Sequence, residues 1–570
     1  MLFQEFLTNI LLDALKAVVN KKKILITKQL NNEFNIEIPQ NSNFGDLSTN
    51  IAMVNSRLLH SSPGDLAENI VEELSNIDVF KKLEIKNPGF INIFFEDRFW
   101  HKQLDYLMKL KGYNYNCKKK NICLEFVSAN PTGLMHIGHA RGAVLGDTLA
   151  SILELVGHNV TREYYINDAG EQIKRLEKTI LFYLKKNTLS NEFTDDLYPG
   201  DYLKKISKKV TGDSNYSIEN KNVNLKKMVV DFVMDDIKKD LKSLRIKFDN
   251  FASEKKIADK KNVENLKNKL KELKLAYFGY QEKPKKIKDK DWTKEKHFIF
   301  SSKKFGDDCD RALIKPNNEI TYFMSDIIYH QSKLDRNYDL LLNIWGVDHF
   351  GYIKRLKSAL TSLNPTKEYE FEIKLTALVN LMKNKKHIKM SKRSGNYITI
   401  RDVIEEVGVD VLRFMMISRN ADKKIDFDFE IFLQKNKDNP VFYVQYAYAR
   451  CKSILKISKQ FLKKDVDFEK VNLSYLVLDE EKLLIKILAN YYNVINSSAK
   501  YFEPHRITNY LYELSRVFHS YWGLGNQDKK KRILVNNFDV SLARLALIKT
   551  ISQIINDALN LLKINCPESM

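Results

Sequence analysis

The sequence predicts an α/β protein. A doubly wound parallel sheet forms its core, a small α+β unit precedes the sheet, and an all-α bundle follows it. Three observations carry this. Between residues 121 and 400, short apolar runs alternate with helical stretches. Residues 1–115 join one helical run to an alternating, strand-like one. From 401 to 570 the apolar spacing is helical. At 570 residues the chain exceeds what one hydrophobic core supports, so separate domains are expected at these boundaries.

In the first unit, Leu2 to Val19 has apolar residues at helical spacing, and Phe90-Ile-Asn-Ile-Phe-Phe95 alternates like a strand. In the second, Ile122 to Val127 and Thr161 to Ile166 read as strands, followed by helices over Ala140 to Val156 and Ala169 to Lys185. Leu340 to Trp345 reads as a buried strand whose end exposes Gly346, Asp348 and His349. Ligand groups belong at the carboxyl ends of such strands, where Glu125, Asp168 and Asp348 fall. An insertion over about 190–300 has little strand signal, and its charged stretch from Lys255 to Lys296 reads as a mobile surface hairpin or helix. The third unit begins with Val403 to Phe414. It continues with helices over Phe442 to Leu462, Glu480 to Lys500, Arg506 to Gly523 and Val540 to Leu562.

Composition narrows the function. With 44% hydrophobic residues the chain suits a soluble globular enzyme. Its 93 basic against 72 acidic residues leave a formal charge of +21, which points to a polyanionic partner such as RNA; part of the lysine excess reads as a solvated coat. The five cysteines are scattered without metal spacing, so neither a disulfide framework nor a structural metal is expected, and a cytoplasmic setting fits. Met1 to Val19 lacks the plan of a secretory signal, and no apolar run is long enough to span a membrane.

Two segments carry chemistry. In Glu125-Phe-Val-Ser-Ala-Asn-Pro-Thr-Gly-Leu-Met-His136-Ile-Gly-His139, a strand passes through a Pro/Gly turn into a helix start. Free backbone N–H groups and the helix dipole there favour anions, and two histidines three apart can donate to phosphate oxygens. Far downstream, Lys389-Met-Ser-Lys392-Arg393-Ser-Gly-Asn396 is a small loop with three cations, suited to closing over a triphosphate.

Paired in this order, the two segments resemble the signatures of class I aminoacyl-tRNA synthetases, and the sequence around them resembles arginyl-tRNA synthetases of bacterial type. The resemblance runs through Phe44-Gly-Asp-Leu-Ser-Thr-Asn50, Asn87-Pro-Gly-Phe90-Ile-Asn92 and Asn167-Asp-Ala-Gly170. It continues through Tyr198-Pro-Gly-Asp201, Gly306-Asp-Asp308 with Asp310-Arg311, Gly346-Val-Asp-His-Phe-Gly351, Asp438 to Tyr446 and the terminal Cys566-Pro-Glu-Ser-Met570. It implies a Rossmann-like class I core and an arginine–tRNA ligase. Such an enzyme uses ATP with Mg2+ to make arginyl-adenylate and passes arginine to the 3′ end of tRNA, releasing AMP and pyrophosphate.

The resemblance also implies residue roles. His136, His139, Lys389, Lys392 and Arg393 are expected to be catalytic, with Gly138, Asp348, Met390 and Ser391 joining them around ATP. The in-line attack on the α-phosphorus needs cations and donors more than a general base. Arginine selection demands carboxylates matched to a planar fork of donors. Glu125 and Asp326 take that part, with Tyr322 on the same helical face as Asp326; Ser128, Asn130 and His139 hold the α-groups or neighbouring backbone. Asn87, Phe90 and Asn92 are assigned to the tRNA elbow, Tyr446 and Met570 to the anticodon side. A monomer is expected, and activation is expected to need bound tRNA.

Two other readings compete. A small-molecule nucleotidylyltransferase shares the His-x-Gly-His helix start but needs no RNA-binding bundle. A tRNA-binding paralogue with a decayed site conflicts with intact His136, His139, Lys389 and Lys392. No insertion has the composition of an editing domain, which argues against the larger class I enzymes for valine, isoleucine and leucine.

Overall fold

A computed structural model describes residues 3–23, 29–39, 41–110, 112–113, 115, 117–185, 197–198, 200–212, 225–280, 295–383, 386–387, 398–462 and 467–570. The N-terminal unit opens with the helix Phe3–Lys21, whose apolar stripe (Leu7, Leu11, Leu15, Val18) is buried. A four-stranded antiparallel sheet follows, in the order Ile36–Glu37, Leu47–Thr49, Phe90–Phe95, Phe80–Lys86. Phe3, Phe95, Phe99 and Trp100 meet edge-on or stacked in its core.

The central unit carries five parallel strands in the order Glu370–Thr376, Leu340–Gly346, Asn121–Glu125, Asn159–Ile166, Asn250–Ser253. The strand expected to reach Val127 stops at Glu125, because Val127 (φ 67°) and Ser128 (φ 40°) turn the backbone left-handed. The helix after it, Ile137–Leu155, begins three residues earlier than expected and is apolar nearly all round, as a helix buried on every side must be. Its Gly146 lets the residue just past the strand lie against it: a Cβ there would run into the Phe126 ring.

Two expectations needed correction. The stretch read as poor in strands contains the edge strand Asn250–Ser253. It also contains two members, Ala276–Tyr280 and Lys296–Phe300, of an antiparallel sheet completed by Arg311–Ile314. A run of four residues with two apolar side chains is too short for periodicity to register. Part of the charged stretch is the helix Lys260–Glu272. The last unit is not helical throughout either. Ile425–Asp428 is a strand pairing in parallel with Val379–Lys383, and the run from Glu480 to Lys500 is two helices, Asp479–Ala489 and Tyr491–Tyr501. The remaining long helices, Pro440–Leu462, His505–Gln527 and Phe538–Leu561, pack as the bundle.

Charged contacts join the units. Asp147, fully buried in the helix Ile137–Leu155, accepts from Arg413 Nη2 at 2.8 Å and from Lys563 Nζ at 2.6 Å. Arg413 also donates to the carbonyls of Leu244 and Leu562. On the other side, Lys486 pairs with Asp46 and Lys482 with Asp97, fastening the N-terminal unit to the bundle.

Candidate active site

The carboxyl end of the strand Asn121–Glu125 places Glu125 at the floor of a cavity of about 810 Å3. The left-handed pair Val127 and Ser128 folds the chain back on itself. Ser128 Oγ then donates to Glu125 Oε1 at 3.0 Å while accepting from the Tyr165 N–H. A β-branched residue at positive φ is strained, and here the strain delivers a hydroxyl to a buried carboxylate. Glu125 Oε2 accepts from Lys333 Nζ at 2.5 Å.

The first turn of the helix Ile137–Leu155 is closed by its two histidines. His136 is the N-cap, and its Nδ1 accepts from the Gly138 N–H at 3.2 Å; His139 Nδ1 accepts from the His136 N–H at 3.2 Å. Acceptance at Nδ1 fixes the ring proton on Nε2 of each, the donor that an anion requires. The rings stack with centroids 3.9 Å apart. A Cβ on Gly138 would press on the His136 ring at 3.0 Å, so glycine keeps this turn open.

The helix Tyr322–Leu334 supplies the opposite wall. Tyr322 stands at the mouth, 59% exposed, and Asp326 lies one turn deeper. Burial pushes the Asp326 carboxyl up to about 7; the hydrogen bond from Tyr352 opposes that rise, and Glu125 and Glu254 add to it. Glu254, 5% exposed, lies on the strand side of the cavity. Burial also raises its carboxyl, against a hydrogen bond from Ser325, and its Oε2 has no hydrogen-bond partner among the described residues. Asp348 and His349, after the strand Leu340–Gly346, line the rim 3.5 Å from each other.

Every described residue assigned to ATP or arginine lines this one cavity: Glu125, Ser128, Asn130, His136, Gly138, His139, Tyr322, Asp326 and Asp348. Lys389, Met390, Ser391, Lys392 and Arg393 lie outside the described residues. The chain on their C-terminal side returns beside the site, where Thr399 bridges to His136 and the Ile400 N–H donates to the Met135 carbonyl. Sequence reading missed Glu254, Tyr165, Tyr329 and Tyr352. Tyr329 was legible as the next step of the 322, 326, 329 spacing; Glu254 was not, because the strand before it was not.

The tRNA assignments fall on two surfaces. Asn87 is exposed and Phe90 half-buried, whereas Asn92 is 3% exposed and its Oδ1 accepts from Ser48 Oγ at 2.9 Å. Tyr446 and Met570, far apart in sequence, line one cleft of about 840 Å3 with Arg450, Lys456 and Trp522. The Arg450 guanidinium lies over the Tyr446 ring at 4.3 Å and the Trp522 ring at 5.4 Å.

The catalytic-domain family described as tRNA synthetases class I (R) matches residues 104–431. Arginine–tRNA ligase of Pelagibacter ubique (strain HTCC1062) is 40% identical over 571 residues, spanning 96% of this chain and 98% of that one. The chain belongs to the arginyl-tRNA synthetase family. The arginyl-tRNA synthetase N-terminal domain matches residues 5–95 and the DALR anticodon-binding domain residues 444–570. A second relative, arginine–tRNA ligase of Ehrlichia chaffeensis (strain ATCC CRL-10679 / Arkansas), is 40% identical over 99% of this chain and 98% of its own length. Among solved structures, a putative arginyl-tRNA synthetase from Campylobacter jejuni superposes with a TM-score of 0.71 at 30% identity, covering 84% of this chain and all of that one. Thermus thermophilus arginyl-tRNA synthetase shares the fold over 98% of this chain and 99% of its own, with a TM-score of 0.72 at 17% identity. As a member of this family the chain is an ATP-dependent ligase. It activates arginine as the adenylate and transfers it to tRNA, releasing AMP and pyrophosphate. No described helix is long and apolar enough to cross a membrane.

Proposed function

We propose that arginine and ATP react in the 810 Å3 cavity, with the arginine side chain against Asp326 and Glu254 and the triphosphate against the histidine turn. One observation supports this above the others. Two buried or half-buried carboxylates face the cavity, and neither is paired with a cation of the chain among the described residues. An unpaired carboxylate in such a setting is costly until a ligand cation arrives. A guanidinium can bridge both acids, whereas a lysine ammonium cannot present a planar fork. Glu125 has two donors already but keeps lone pairs for a third. Ser128, Asn130 and His139 are suited to the α-ammonium and α-carboxylate.

The carboxylate attacks the α-phosphorus in line, and His136 and His139 donate from Nε2 to oxygens that gain charge as pyrophosphate leaves. Lys389, Lys392 and Arg393 neutralise the departing pyrophosphate, with Met390 and Ser391 beside the nucleotide. Gly138 gives the nucleotide access to the turn, and Asp348 sits where a ribose or α-ammonium would bind. Mg2+ enters with ATP. The described residues hold no cluster of three metal-ligating side chains. In this reading the protein works as a cytoplasmic monomer, Asn87 and Phe90 contact the tRNA elbow while the buried Asn92 holds their strand through Ser48, and Tyr446 and Met570 contact the anticodon loop.

Equilibrium binding of arginine and of ATP to Asp326→Asn tests the reading. Arginine affinity should fall about tenfold or more and ATP affinity stay within about twofold. Equal loss of both would overturn it. Pyrophosphate exchange with and without tRNA decides whether activation needs the RNA.

A further inference from the structure

The helix Tyr322–Leu334 carries one more polar residue on its cavity face. Steps of four, three and four from Tyr322 bring Asp326, Tyr329 and Lys333 onto a single stripe running from mouth to floor. Exposure falls along it, from 59% at Tyr322 to 1% at Tyr329 and 0% at Lys333. A fully buried lysine under a pocket for a cationic substrate needs a reason, since burial opposes its charge.

Its contacts supply one. The Lys333 stem passes the Tyr329 ring, with Nζ 4.2 Å from the centroid, and the ammonium donates to Glu125 Oε2 at 2.5 Å and Asn343 Oδ1 at 3.3 Å. Asn343 Nδ2 then donates to His330 Nε2 at 2.8 Å, and His330 Nδ1 donates to the Asp326 carbonyl at 2.8 Å. The direction of each bond is forced. A backbone carbonyl only accepts, so His330 carries its proton on Nδ1, which makes Nε2 the acceptor and turns the amide oxygen of Asn343 toward Lys333. Burial holds His330 well below its usual value, in keeping with this neutral form. One ammonium therefore ends two chains of contacts, each leading to an acid assigned to arginine.

We propose that Lys333 is a positioning residue for arginine selection: it fixes the Glu125 carboxylate directly and the Asp326 turn through Asn343 and His330, without touching the substrate. The inference rests on the arginine reading of that cavity. A resident cation beneath Glu125 also confines the incoming guanidinium to the cavity side of the two acids.

Kinetics of Lys333→Met, Lys333→Arg, Glu125→Gln and the double variant Glu125→Gln/Lys333→Met test it, with thermal melting as the control for folding. Lys333→Met should raise the arginine KM about tenfold or more and leave the ATP KM within about twofold, because it frees the Glu125 carboxylate and the Asp326 turn from the positions Lys333 holds them in. Lys333→Arg, which keeps a buried cation, should recover part of the loss. The double variant, with neither buried charge, should bind arginine worse than Glu125→Gln only by the share of Lys333 that runs to Asp326, so its loss stays below the product of the single losses. A normal arginine KM in folded Lys333→Met overturns the inference, as do equal rises in both KM values or losses that multiply in the double variant. If Lys333→Met does not fold, the double variant decides alone: a further rise in the arginine KM over Glu125→Gln with the ATP KM unchanged supports the inference, and an unchanged arginine KM or an equal rise in both KM values overturns it. A normal arginine KM in Glu125→Gln overturns the arginine reading of Glu125 and the inference with it; an impaired Glu125→Gln beside a normal Lys333→Met overturns the inference only.

Discussion

The Tyr352 hydroxyl donates to Asp326 Oδ2 at 2.5 Å, a hydrogen bond that opposes the burial raising this carboxyl to about 7. Asp326 thus lies near its midpoint at neutral pH, while a bound guanidinium needs it ionised. Binding releases a proton, so affinity is full above the raised value and falls as pH drops through it. Arginine affinity should weaken by up to about tenfold per pH unit below about 7. Glu254, raised by the same burial, pushes in the same direction. Calorimetric titration of arginine between pH 5.5 and 8.5 (about the range of stability expected for such a domain) checks this; a flat profile would sink it, and Asp326→Asn should be weak and less dependent on pH.

The His136 ring caps the helix Ile137–Leu155 as well as facing the cavity. His136→Ala should therefore lose about 1 kcal/mol of stability together with activity. His136→Asn keeps a capping side chain and should melt normally while charging tRNA about a hundredfold more slowly, the scale of a lost oxyanion donor. Near-normal charging by His136→Asn would restrict this histidine to its capping role. Lys392→Ala should lose activity on the same scale.

Glu254→Gln removes a buried charge without changing shape. Arginine binding should weaken by about 1.5–3 kcal/mol, the scale of a hydrogen bond to a charged group. The empty protein should melt at the same temperature or higher, because an unpaired buried carboxylate is gone. A lower melting point with unchanged arginine affinity would make Glu254 structural.

Asn92 and Phe90 should part company. Asn92→Ala strands the buried Ser48 hydroxyl and should cost about 1 kcal/mol in stability. Phe90→Ala, at a half-buried position, should instead raise the tRNA KM by the equivalent of about 1–3 kcal/mol for a stacked base. Melting curves and tRNA titrations of both variants separate the two roles; normal tRNA affinity in folded Phe90→Ala would remove the elbow assignment.

The parts of the site that sequence made legible share a physical cause. Glu125, the histidine turn and Asp348 each follow a strand with enough apolar residues to be read, so the rule placing ligand groups at strand ends applies directly. Glu254 follows a strand of four residues with little apolar signal and was lost with it. The Tyr322–Asp326 pairing was legible at one turn, but its extension to Lys333 reads in sequence as one more lysine among many. Burial, not spacing, separates that lysine from the solvated ones. The meeting of Tyr446 with Met570 came from resemblance alone, since no local pattern links residues on a helix and a tail.

The carboxylate of Asp147 binds a cation from residue 413 and another from residue 563, inside a helix whose first turn holds His139. The domain boundaries in the sequence are therefore poor places to cut. A truncation ending near residue 431 would remove Lys563 and the Leu562 carbonyl that Arg413 uses, opening a fully buried ion pair to water about two turns from the histidines. The catalytic unit is a module in sequence, yet a fragment cut there should melt lower than the full chain, and fragments should be designed with the last helix and its tail attached.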